Sequence, residues 1–159
     1  MLRELSRRAP CPIVALPPGA GGSIRGSGGA ESVVCGVDAT LSGQIAAGAA
    51  GRLAAHLGVR LIAVHACDPC GEDDLLRRRR LLSQTLDELG EGAEGRLVFG
   101  HPARMLDAVS VRERGRLVVV GSRGLGALRA AVHRSVSISL ASAARQPVVI
   151  VPPASRACV

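Results

Sequence analysis

From residue 32 onward the apolar residues follow two alternating rhythms. The short runs SVVCGVD, VRLIAVHA, GRLVFG, RLVVVG and PVVIVPP are apolar at successive positions, as strands buried on both faces are. Between them lie longer stretches with helical spacing. LSGQIAAGAAGRLAAHLG places Ile45, Ala49, Leu53 and Leu57 on one face and stops at Gly58. EDDLLRRRRLLSQTLDELG turns Leu75, Leu82, Leu86 and Leu89 inward. Its acids Glu72, Asp73 and Asp74 stand in the first turn, where the helix dipole favours them. PARMLDAVSVRERG has Pro102 in its first turn, and a last helix is expected from about residue 135 to residue 145. The alternation predicts an α/β fold, an open parallel sheet with right-handed crossovers and helices on both faces. Ligands of such sheets bind beyond the carboxyl ends of the strands, at a topological switch point. The loops after Asp38, His65, Phe99 and Val120 are therefore where a site should lie.

The start of the chain breaks this pattern. LSRRAPCPIVALPPGA, residues 5–20, is nearly repeated by LASAARQPVVIVPPAS, residues 140–155. Superposed, Leu5 meets Leu140, Ala9 meets Ala144, Pro12 meets Pro147 and Val14 meets Val149. Pro17 and Pro18 then meet Pro152 and Pro153. The intervening PPGAGGSIRGSGGAES has the glycine content and lack of periodicity of a linker.

Length and composition narrow the classes. A chain of 159 residues with 47% apolar content suits one domain with a real core. Phe99 is the only aromatic residue, so that core is built of Val, Leu, Ile and Ala. The net charge is +7, and every basic side chain among the Lys and Arg is arginine. A basic surface attracts nucleic acid, yet single-strand binders stack bases on aromatic rings, which are missing; nucleic acid is not the expected partner. Cys11, Cys35, Cys67, Cys70 and Cys158 form an odd set without disulfide-scaffold density. No apolar run approaches the roughly 18 residues of a membrane helix, so no membrane partner is expected. SRRAP resembles a twin-arginine signal, but the apolar run behind it is short and fenced by prolines. The expected compartment is the cytoplasm.

The strongest constellation follows the fourth of these predicted strands: Gly121-Ser122-Arg123-Gly124, nine residues, then Arg134-Ser135-Val136-Ser137 opening a helix. Glycines past a strand let backbone approach a phosphate, and N–H groups at a helix start point toward an anion. Spacing alone leaves a plain glycine-rich turn as an equal reading.

With these residues, the chain from 32 to 153 resembles a universal stress protein domain. GSRGLGALR and SVS match the signature Gly-x-x-Gly, nine residues, Gly-Ser/Thr, and GVDAT, VHA and GHP fall where that family places related residues. The resemblance implies a five-stranded parallel sheet of order 3-2-1-4-5, and binding of ATP or another adenine nucleotide, with Mg accompanying ATP. Carried across, it implies that Asp38 receives the adenine or ribose edge, with Gly36, Ala39 and Thr40 lining that end. Val64 would pack on the base, Val120, Gly121, Arg123 and Gly124 would follow the ribose and phosphates, and Ser135, Val136 and Ser137 would stand at the helix start. One departure is Arg134, where the family has its third signature glycine. Its side chain either fills the phosphate pocket and abolishes binding, or pairs bidentately with phosphate oxygens.

The resemblance also accounts for the opening segment. PIVAL, residues 12–16 from Pro12 to Leu16, resembles the last strand of a preceding domain of the same kind. It is expected to add an extra edge strand, antiparallel to residues 148–151, from Val148 to Val151. The linker reaches about 50 Å when extended, so pairing within one chain and exchange between two chains are both open. The expected organisation is thus residues 1–20 as that segment, 21–31 as linker, 32–153 as the domain and 154–159 as a tail, with a homodimer through residues 12–16 and 148–151 as a partner.

Other motifs carry less. SGGAES resembles a pyrophosphatase loop but precedes the first of these strands instead of following it. HACDPC offers His65, Cys67 and Cys70, a lone C-x-x-C without a second pair, and a reduced loop pair is the preferred reading. His101 and His133 are read as surface histidines, and Arg77 to Arg80 wrap a full turn as a solvated face with some buried stems. No Ser-His-Asp or paired-carboxylate set can be assembled. The expected function is adenine nucleotide binding with a sensing or regulatory role in stress response, with slow ATP hydrolysis at most. The alternative is a nucleotide-free domain, its pocket altered by Arg134, acting through dimerisation or protein contacts.

Overall fold

A computed structural model of the protein describes residues 9–17, 31–69, 71–122 and 136–153. In chain order the elements are β1 (Ile13–Ala15), β2 (Ser32–Gly36), α1 (Leu41–Leu57), β3 (Arg60–Cys67), α2 (Glu72–Leu89), β4 (Ala93–Phe99), α3 (Pro102–Arg112), β5 (Gly115–Gly121), α4 (Val136–Ala143) and β6 (Val148–Val151). The sheet runs β1-β6-β5-β2-β3-β4. β6, β5, β2, β3 and β4 are mutually parallel, which is the expected order, and β1 adds antiparallel to β6 as the extra edge strand.

The all-apolar strand runs feed two cores, because alternate residues point to opposite faces. Val33, Cys35, Leu61, Ala63, Val119, Val149 and Val151 face α1 and α2. Val34, Ile62, Val64, Val118, Val120, Val148 and Ile150 face α3 and α4. Each local start and stop has a cause. Thr40 caps α1, its Oγ1 accepting from the Gly43 N–H (3.1 Å), and Gly58 ends it at φ 64°, a left-handed cap suited to glycine. α2 has no side-chain cap but carries Glu72, Asp73 and Asp74 in its first turn. Pro102 opens α3.

α1 departs in detail from its sequence pattern. Ile45, Leu53 and Leu57 are partly buried and pack on the core's flank, whereas Ala46, Ala50 and Ala54, with Gly43, form the deepest face. Small residues at this spacing let the helix axis lie close to the sheet, which brings its amino end near the strand ends.

At the other end of the sheet the charges collect. Arg60 pairs with Glu94 (2.9 Å), Glu31 (3.6 Å) and Glu113 (4.0 Å), and Arg96 pairs with Glu94 (2.7 Å) and Glu113 (3.7 Å). Hydrogen bonds from Arg96 and then Arg60 hold the Glu94 carboxyl below the usual carboxylate range.

Cys35 sits wholly buried in the middle of this sheet. Burial, with the Asp38 charge adding to it, pushes its thiol from the ordinary 9.0 up to about 12. The folded chain therefore holds this proton more tightly than the unfolded chain, and the contribution is fully present below pH 9.0 and lost as pH rises toward about 12. In native labelling with a maleimide followed by mass spectrometry, Cys11, which is exposed, is expected to react and Cys35 to stay unmodified until the chain is denatured.

Candidate functional site

β2 and β5 are neighbours in the sheet, but their helices leave in opposite directions, so the gap beyond their carboxyl ends is the switch point. A cleft opens there, lined by Gly36, Val37, Asp38, Thr40, Ser42, Gly43, Val64, Ala66, Pro102, Leu106, Val120, Gly121 and Val136. One wall is apolar: Val64 and Ala66 from β3, Pro102 and Leu106 from α3, Val120 from β5 and Val136 from α4. The other wall is polar, made by the turn from β2 into the first turn of α1.

That turn is built around Asp38. Its Oδ1 accepts from the Thr40 N–H (3.0 Å) and, at short range, from the Thr40 hydroxyl, so the carboxylate is folded over the start of α1. The position works only because residue 43 is glycine: a Cβ there would stand 2.8 Å from the Asp38 carbonyl oxygen, and closer still to the carboxylate. The helix start favours the negative charge. Across the cleft, the Ser42 hydroxyl donates to the Ser122 carbonyl (2.7 Å), and the Ser122 N–H donates to the Val151 carbonyl (2.9 Å). This chain of bonds ties α1 to the ends of β5 and β6. Gly121 permits it, since a Cβ there would lie 2.5 Å from the Ser42 carbonyl oxygen and 2.8 Å from its carbon.

His65 supports the same turn from behind. On β3 it points away from its neighbours Val64 and Ala66 and is buried. Its Nδ1 lies 2.9 Å from the Val37 carbonyl, which can only accept, so Nδ1 carries the proton and donates. Its Nε2 then accepts from the Arg78 guanidinium (3.2 Å), which also binds Asp74 (2.8 Å). A line of polar contacts thus runs from α2 through β3 to the residue before Asp38.

Of the residues expected at the site, Gly36, Asp38, Thr40, Val64, Val120, Gly121 and Val136 line the cleft together. Ala39 is exposed in the turn and Ser137 is buried in α4; neither is among the lining residues. Arg123, Gly124, Arg134 and Ser135 lie outside the described residues, as do His133 and Cys70. Val37, Ser42, Gly43, Ala66, Pro102 and Leu106 also line the cleft, beyond the residues expected there from the sequence. Two signals pointed to some of them: Ala66 and Pro102 lie in the VHA and GHP motifs, and Leu106 follows Pro102 by one helical turn. His65 and Cys67 do not converge as metal ligands; the His65 ring is bonded to Val37 and Arg78, and Cys67 is a buried free thiol. Among the described residues no helix is long and apolar enough to cross a membrane.

The cleft thus combines an apolar slot, a fixed carboxylate beside it, and backbone left bare by glycine. Comparison with known proteins agrees with the fold. A universal stress protein solved in complex with cAMP is 27% identical, with a TM-score of 0.65 over 76% of this chain and 96% of that one. The universal stress protein from Archaeoglobus fulgidus in complex with dAMP is 18% identical, with a TM-score of 0.62 over 76% of this chain and 97% of that one. A universal stress protein family member from Burkholderia pseudomallei is 21% identical, with a TM-score of 0.58 over 82% of this chain and 98% of that one. At the identities of the last two, the likeness shows the fold alone. No curated protein matches the sequence significantly. The family model for the universal stress protein family matches residues 29–152, and the chain belongs to that family.

Proposed function

We propose that the chain binds an adenine nucleotide, ATP or a relative of it, in the cleft beyond β2, β3 and β5, and that occupancy serves a sensing or regulatory role in the cytoplasmic stress response. The observation that carries this reading is the pairing, in one cleft at the switch point, of an apolar slot with the Thr40-held carboxylate of Asp38. The cAMP complex of the 27% identical relative supports the ligand class. In this reading the base lies against Val64, Ala66 and Leu106, and Asp38 accepts from the base edge or the ribose hydroxyls. Gly121 and Val136 open the way to the phosphates, with Arg123, Gly124, Arg134 and Ser135 as further members of the site. With ATP, Mg accompanies the phosphates. The role is that of a binder; the cleft's described residues supply no activated nucleophile. A homodimer through Val148–Val151 needs the edge that β1 covers, so it belongs to a chain whose residues 12–16 have moved away.

Arg134 decides between this reading and a nucleotide-free domain, because a side chain stands where the family has glycine. Calorimetric titration of ATP into the full chain and into Arg134→Gly separates them. Saturable binding by the unaltered chain is expected, weakened about tenfold to hundredfold in the variant by loss of charge-assisted hydrogen bonds to phosphate. No binding by the unaltered chain, with binding gained by Arg134→Gly, would overturn the proposal.

A further inference from the structure

Both halves of the cleft are fastened to one strand. Val64 and Ala66 of β3 stand in the apolar wall, and the residue between them, His65, lies on the opposite face of the sheet and is buried. From that face it reaches the turn that carries Asp38. Val37, the residue before Asp38, donates its N–H to the Val64 carbonyl (2.9 Å), and its own carbonyl accepts from His65 Nδ1 (2.9 Å). Two neighbouring residues of β3 thus take both backbone groups of Val37. The spacing between the apolar wall and the carboxylate is therefore set from β3.

This hold depends on the protonation of the ring. Nδ1 donates to Val37, and Nε2 offers its lone pair to the Arg78 guanidinium (3.2 Å). Only the neutral imidazole can make both contacts. A proton on Nε2 removes the acceptor and sets an imidazolium against a guanidinium, so that contact is lost. On α2 the carboxylate in this line, Asp74, lies on the Arg78 side and is bonded to that guanidinium (2.8 Å). A charged ring that turns toward Asp74 draws Nδ1 off Val37. In the β2–α1 turn, Asp38 has its Oδ1 on the Thr40 N–H. β4 presents Leu97, the apolar register partner of His65, and β3 itself has Cys67, a buried thiol, two residues on. The titratable side chains of α1, Arg52 and His56, are exposed and in its carboxyl half.

We propose that His65 is a pH-sensitive positioning residue of the cleft. Neutral, it holds the Asp38 turn against the apolar wall; with a second ring proton it releases that turn, and the bound nucleotide with it. The inference rests on the nucleotide reading above and adds its regulation: loading at neutral pH, and release as the pH falls through the range in which histidine changes charge.

The test is calorimetric titration of ATP at about pH 8 and about pH 5.5, on either side of the ordinary histidine transition, into the full chain, His65→Asn and Arg78→Gln. Protonation of ATP itself is common to all three proteins, so the comparison between them reads the ring. The unaltered chain is expected to lose about tenfold or more in affinity at the lower pH, beyond what either variant loses. His65→Asn keeps an N–H donor toward Val37 but has no titrating ring. Arg78→Gln removes the facing cation at a partly exposed helix position, and it answers the question should the first variant not fold. Circular dichroism at both pH values identifies the folded variants. A folded variant of either kind with the same acid loss as the unaltered chain, or an unaltered chain whose affinity does not fall, overturns the inference and leaves nucleotide binding standing. No saturable binding by the unaltered chain at the higher pH overturns the nucleotide reading itself, and this inference with it.

Discussion

Gly121→Ala is expected to lower the stability of the chain by about 3 kcal/mol, the upper part of the range for overpacking a well-filled site. The added methyl would lie 2.5 Å from the Ser42 carbonyl oxygen and 2.6 Å from its hydroxyl. The hydroxyl makes the bond that joins α1 to the end of β5, and the carbonyl is backbone, so no rotamer change relieves that contact. Either α1 moves off the sheet or β5 bends. A loss of this size lowers the midpoint of a thermal melt by roughly 6–12 °C in a chain of this length. Gly36→Ala is the matched comparison. Its methyl would meet the Leu106 Cδ1 at 2.9 Å, the end of a side chain that can turn aside, so a loss of about 1 kcal/mol or less is expected. Equal melts for the two variants would show that the close approach at Gly121 does not hold the cleft in shape.

The contrast between these glycines shows what the sequence disclosed and what it did not. The doubly buried strands were legible because their apolar runs have no polar face, and β2, β3, β5 and β6 lie where those runs fall. The extra edge strand was legible from the repeat, since a copy of β6 carries β6's own pairing preferences. The inner face of α1 was not. Its sequence offers a stripe of larger residues and a stripe of alanines, and which goes deepest depends on how near the helix approaches the sheet. The role of His65 was hidden for a similar reason. Its partners are Val37, 28 residues before it, and Arg78, 13 residues after it; the parallel pairing of β2 and β3 brings the first within reach and the packing of α2 against β3 the second. Ser42 and Gly43 follow a recognisable cap residue, yet their fit to Ser122 and Asp38 is a matter of tertiary distance. Asp38 was marked by the resemblance and by its place at the end of the first parallel strand beside the switch point, and it lines the cleft there.

That carboxylate carries the second large effect. Its Oδ1 is held by the Thr40 N–H and hydroxyl, so the group meets a ligand in a fixed orientation and loses little freedom on binding. A hydrogen bond to a charged group contributes about 1.5–3 kcal/mol, and Asp38→Ala should therefore weaken adenine nucleotide binding by roughly tenfold to more than a hundredfold. Thr40 remains as the cap of α1, with its hydroxyl on the Gly43 N–H, so the variant keeps its helix and its circular dichroism. The decisive measurement is calorimetric titration of ATP into the unaltered chain and into Asp38→Ala at the same protein concentration. The account predicts saturable binding of one nucleotide per chain, with the affinity of the folded variant reduced by that factor. Equal affinity in the two, or no saturable heat from the unaltered chain, would contradict it.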